Sequence, residues 1–102
     1  MNNNDILNDA ALNKKLQKNP ELKNIYYQEK FILNITELIC QLMVKTNINI
    51  TELANRLVVH ENYLTLMLGG TRDMTLDMIS DIFTVLGYEL NVSAIPMKLE
   101  MK

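Results

Sequence analysis

Between Asn49 and Gly70 the chain twice repeats one short pattern: a residue suited to begin a helix, then about eight residues with apolar side chains three and four apart. In the first repeat Asn49 stands three residues before Glu52, the spacing of a capping box, and predicts a helix from about Ile50 to Leu57. Leu53, Ala54 and Leu57 share one face of it, and the small Ala54 lets a neighbouring helix come close. In the second repeat His60 takes the cap position, and Glu61 suits the positive end of a helix running to Leu68. Leu64, Met67 and Leu68 form its apolar stripe, so Glu61, Asn62, Thr65 and Leu66 point elsewhere. Gly69 and Gly70 are expected to end it through the left-handed conformation open to glycine.

The pattern continues on both sides. After an asparagine-rich, frayed opening from Met1 to Asn8, Asp9 predicts the cap of a short helix from Ala10 to about Lys18. Asn19-Pro20 restarts the chain as cap and first helical residue. The long helix that follows, to about Lys45, carries Leu22, Ile25, Ile32, Ile35, Ile39 and Leu42 at helical spacing, widened by Phe31, Leu38 and Met43. A stripe that wide needs cover on more than one side. Thr75 predicts the cap of a helix from Leu76 to Leu86, with Leu76, Ile79, Ile82, Phe83 and Leu86 buried and Gly87 closing it. Tyr88 to Ala94 alternates bulky or apolar with polar residues, the period of a half-buried strand, and Pro96 ends it before a short tail. No other segment reads as a strand, so the simplest mate for Leu90, Val92 and Ala94 is the same strand of a second subunit.

Two helices of about eight residues joined by a turn of about three form a helix-turn-helix. From Asn47 to Leu90 the chain resembles, without a gap, the phage-repressor and Cro-like (XRE-type) helix-turn-helix family. The matching residues are Leu53-Ala54, Leu57, Val59, Leu64, Gly70, Thr75-Leu76, Ile79, Leu86 and Gly87. The resemblance implies an all-α, five-helix lambda-repressor-like domain over residues 28-88, an N-terminal helical extension over 1-27, and a C-terminal strand and tail over 89-102. It also implies that early residues of the second helix face base edges in double-stranded DNA: Glu61, Asn62 and Leu66, with Thr65 beside them. Asn holds adenine through paired hydrogen bonds, Glu accepts from cytosine and Leu rests on a thymine methyl, which makes Asn62 the strongest candidate. Lys45, Arg56, Thr71 and Arg72 are the candidates for phosphate contact. Tyr63 either reaches the backbone through its hydroxyl or packs at the core edge. Ile50 departs from the pattern, standing where the family often has a glutamine that contacts the DNA backbone.

Composition narrows the function classes. At 102 residues and 48% hydrophobic content the chain suits one ordered domain, small enough to gain from a homodimer partner. Cys40 has no second cysteine to pair with and no leader precedes the first helix, which points to the cytoplasm. No apolar run approaches the ~20 residues that span a membrane. A net charge of -2 argues against a general nucleic-acid binder. From Lys45 to Arg72, Lys45, Arg56 and Arg72 stand against Glu52 and Glu61, so a monomer should bind weakly and a dimer should recover part of the loss. One His and one Cys are too few for a zinc site, and neither a phosphate-cradling glycine loop nor a nucleophile motif is present. The expectation is therefore no enzyme, no cofactor and no metal.

The remaining candidates carry ordinary readings as well. Asn62 and Glu61 suit first-turn capping or solvation, Arg72 a plain surface position, Leu66 contact with a protein, and His60 a cap rather than a switch or ligand. Cys40 reads as a small buried hydrophobe, and the seven methionines mostly as core fillers. Asp73, Asp77 and Asp81 line one side of the last helix as a solvated acidic face, with Asp77 and Asp81 able to meet a basic protein. The N-terminal extension and its NPELKNIYYQEK segment are similar to antitoxins, which would add a cognate toxin as partner. The expected function is thus a dimeric, sequence-specific repressor, with autoregulation of its operon in the antitoxin version. The alternative is a protein-interaction module of the same fold that no longer binds DNA.

Overall fold

The computed structural model describes the backbone of residues 3–70 and 74–97, and side chains from residue 11 onward within those ranges. The chain is all-α, with five helices: α1 (Asn3–Lys18), α2 (Pro20–Thr46), α3 (Ile50–Leu57), α4 (Glu61–Leu68) and α5 (Leu76–Val85). It divides into two compact units, Phe31–Val92 and a second made of Met1–Lys30 with Ser93–Lys102.

In the second of these units α1 begins at Asn3, so Asp9 lies inside the helix rather than capping it. Asn and Asp cost only a fraction of a kcal/mol in a helix, and no proline or glycine interrupts the chain before Pro20. Asn19 accepts the Leu22 amide through its side chain at 3.0 Å and starts α2 as expected. Leu16 is buried, whereas Leu22 and Ile25 stay exposed. Tyr26 and Tyr27 meet edge to face at 5.0 Å, and the Lys30 ammonium lies 5.9 Å from each ring centre.

The unit Phe31–Val92 holds the main core. Ile35 and Ile39 of α2 meet Leu53 and Ala54 of α3, Leu64 and Met67 of α4, and Ile79, Ile82, Phe83 and Leu86 of the α5 segment. The helix α3 packs on both α4 and α5, with the small Ala54 buried at the contact. Thr36 is the buried polar side chain there, and its hydroxyl is satisfied by the Leu33 carbonyl at 3.0 Å. Four positions expected in the core are not buried. Leu76 is 80% exposed, because it is the first residue of α5 and helical side chains lean toward the N-terminus, past the end of the packed stripe. Cys40 is exposed, since one residue beyond the buried Ile39 turns it about 100° away from the core. Phe31 and Leu38, meant to widen the stripe, lie on its outer flank and are exposed.

Helix ends follow a shared rule. At the ends of α2, α3 and α5 the paired bonds Ile48→Met43 and Asn47→Val44, Val59→Ala54 and Val58→Asn55, Tyr88→Phe83 and Gly87→Thr84 close Schellman turns. Asn47, Val58 and Gly87 therefore take positive φ, at 59°, 58° and 87°. Each turn sends the chain back toward the core, and Ile48 and Val59 pack against it. Between Gly87 and Met97 no strand forms among the described residues. The expected strand over 88–94 finds no partner strand among the described residues. Leu90 rests on the core, while Val92 and Ala94 are exposed.

Candidate nucleic-acid interface

The candidate surface is built by α3, its turn and α4. Asn49 caps α3 by accepting the Glu52 amide at 2.9 Å. The reciprocal half of the capping box does not form, because the Glu52 carboxylate instead accepts from Arg56 one turn later. At the start of α4, His60 occupies the cap position with extended backbone, but its side chain makes no capping bond. Glu61 turns toward α3 and accepts the Thr51 hydroxyl at 3.1 Å. At the end of α4 Gly69 keeps a negative φ of -79°, and Gly70, at 101°, takes the positive φ expected of the glycine pair.

Burial sorts the eight residues of α4 cleanly. Leu64 and Met67 are sealed in the core and Leu68 is half-buried. Successive residues turn by about 100°, so the direction opposite Leu64 and Met67 belongs to Asn62 and Leu66, with Thr65 beside them. All three are exposed, Leu66 at 65%. Tyr63 stands on one flank, 42% exposed. Glu61 stands on the other flank, beside α3.

Of the candidate phosphate contacts, Lys45 is exposed at the end of α2, and Arg56 is exposed on α3 but paired with Glu52. Thr71 and Arg72 lie outside the described residues, as does Asp73. Ile50 packs against the core, so its position on α3 offers no polar group outward. Asp77 and Asp81 are exposed on α5. Residues 31–92 carry three basic side chains, Lys45, Arg56 and Arg72, against seven acidic ones, a net of -4.

Two features escaped sequence reasoning. The tie between Thr51 and Glu61 joins residues ten apart on separate helices, and nothing in local spacing signals it. Val58, 87% exposed at positive φ in the α3–α4 turn, is a β-branched residue where glycine or asparagine would be expected. Among the described residues no group of three or more His, Cys, Asp or Glu side chains could hold a metal ion, and no helix is long and apolar enough to cross a membrane. Comparison with family models, curated proteins and solved structures returns no match to this chain.

Proposed function

We propose that the chain is a cytoplasmic, sequence-specific regulator that binds double-stranded DNA as a homodimer and represses transcription. In this reading α3, its turn and α4 are the helix-turn-helix of a phage-repressor-like domain, and α4 enters the major groove. The observation that carries it is the outward face of α4. Asn62, Thr65 and Leu66 are exposed together on a helix whose opposite face is locked into the core, an arrangement that presents base-reading side chains from a rigid support. Lys45 and Arg56, with Arg72, supply phosphate contacts, and Tyr63 adds a hydroxyl.

Dimerisation makes up for a net charge that weakens a single copy, since two half-sites double the phosphate contacts. The unpaired segment after Gly87 offers the means. It forms, with α5, an open groove whose apolar lining of Leu76, Ile79, Leu90 and Val92 is interrupted by Ser80, Thr84 and Glu89, and antiparallel pairing of this segment with its copy would satisfy its backbone groups. An antitoxin role, with a toxin on the acidic Asp77 and Asp81 side of α5, is the narrower form of the same proposal.

A second reading has its own support. The exposed Leu66, the inward Ile50 and the negative balance of residues 31–92 also suit a protein-interaction module that keeps the fold without binding DNA. Fluorescence anisotropy separates the two, with the protein titrated onto labelled DNA from upstream of its own gene and onto a shuffled duplex at about 0.15 M salt. A preference of about a hundredfold, equal to about 2.7 kcal/mol, supports the regulator. Equal weak binding to both duplexes supports the interaction module.

A further inference from the structure

Building on the reading of α4 as the groove helix, we propose that its base readout is confined to A·T pairs, with Asn62 on adenine and Leu66 on a thymine methyl. Between Glu61 and Leu68 there is no arginine or lysine, so the commonest guanine contact, a fork of donors onto N7 and O6, has no source on this helix.

Each exposed side chain then points the same way. The amide of Asn62 offers one donor and one acceptor side by side, which matches the acceptor N7 and donor N6 of adenine and mismatches the two acceptors of guanine. Leu66 has no polar atom. Placed against the groove floor it gains only where an apolar group is there to be covered, and the 5-methyl of thymine is the one such group. Over cytosine or guanine it would strip water from polar edges and return nothing. Thr65, next to it, adds a methyl and a hydroxyl that accept either base.

Glu61 is the residue that could have demanded a G·C pair, by accepting from cytosine N4. One oxygen of its carboxylate accepts the Thr51 hydroxyl at 3.1 Å, a bond that draws the side chain to the α3 side of α4 rather than the side of Asn62 and Leu66. The base-reading set is thereby reduced to Asn62, Thr65 and Leu66, a set suited to adenine and thymine.

The test selects duplexes from a pool with a randomised central segment, using the full-length chain, and then replaces each thymine of the selected half-site by deoxyuridine, which deletes only the methyl. The expected half-site is A·T at the pairs shared by all selected sequences. One or two uracil substitutions should weaken binding about three- to fivefold, the scale of one buried methyl group. In Leu66→Ala, a change at an exposed position, that difference should vanish while a preference for the selected duplex persists through Asn62. Shared G·C pairs at the centre of the half-site overturn the inference and leave the DNA reading intact. So does a uracil effect that is absent from the wild type or undiminished in Leu66→Ala. Failure to enrich any sequence rejects the DNA reading itself and the inference with it.

Discussion

The Thr51 hydroxyl donates to the Glu61 carboxylate across 3.1 Å, joining the first turn of α3 to the first turn of α4. The bond is exposed, so its value lies in fixing the angle between the two helices more than in bulk stability. Thr51→Val and Glu61→Ala should each cost no more than about 1 kcal/mol in urea unfolding. The double variant should cost less than their sum, because either change alone removes the same bond. Strict additivity would mean that the two side chains act independently.

Val58 holds φ of 58° in the turn between these helices, 87% exposed and free of compensating burial. A β-branched side chain is strained in that region, and the strain costs about 1–2 kcal/mol. Val58→Gly is therefore expected to raise stability by about 1 kcal/mol, even though glycine gains freedom in the unfolded chain. In a domain of this size thermal unfolding should shift upward by several degrees, roughly 4–8 °C. A lower midpoint would show that the valine contributes contacts that outweigh its backbone strain.

Leu64 and Leu76 resemble each other in sequence pattern and differ entirely in packing. Leu64 is fully buried, and Leu64→Ala should cost about 2–5 kcal/mol. Leu76→Ala, at an 80% exposed position, should fall within about 0.5 kcal/mol of the parent chain. Denaturant midpoints of the two variants, measured side by side, check the assignment of the core.

This pair also shows where the sequence stops being informative. Period and caps were enough to place α3, α4 and the start of α5, because Asn49 and Thr75 accept amide protons three residues on and Leu53, Leu64 and Ile79 recur at helical spacing. They could not separate Leu76 or Cys40 from true core positions, since exposure there depends on where neighbouring elements end. Val58 was hidden because the Schellman turn is dictated by the need to return Val59 to the core, overriding the preference of the residue at its bend. The alternation from Tyr88 to Ala94 signals a strand only in company, and a single chain provides no edge to pair with. For the candidate site, the outward direction of Asn62, Thr65 and Leu66 was legible from the stripe behind them. The engagement of Glu61 by Thr51, ten residues away on α3, was not.

Arg56 faces Glu52 one turn away, and both are about half exposed. Such a pair adds little stability, on the order of 0.3–0.5 kcal/mol. For a DNA-binding surface it is a handicap, since it neutralises one of few cations near the groove helix. Glu52→Gln should therefore strengthen binding to any duplex and steepen its salt dependence, leaving the preference between sequences unchanged. Plots of log affinity against log salt for the two proteins test this. An unchanged slope would place Arg56 away from the phosphates.

Asp77 and Asp81 are exposed on α5. Reversing both to lysine should leave the preference between duplexes intact and abolish binding of a basic partner such as a toxin. Pull-down with the neighbouring gene product, run beside the DNA titration, separates the two surfaces. Loss of duplex preference in this variant would reject the division of faces.

The central claim is that the outward face of α4 reads DNA sequence, and Asn62→Ala tests it most directly. Asn62 is exposed, so the variant should keep its circular dichroism spectrum and unfolding midpoint. Anisotropy titrations of both proteins onto the preferred and shuffled duplexes give the ratio of affinities. That ratio should fall at least about fivefold in Asn62→Ala, the lower bound for one paired base contact, while binding to the shuffled duplex stays the same. An unchanged ratio, or no preference in the parent chain, would contradict the claim and move the function of α4 to a protein partner.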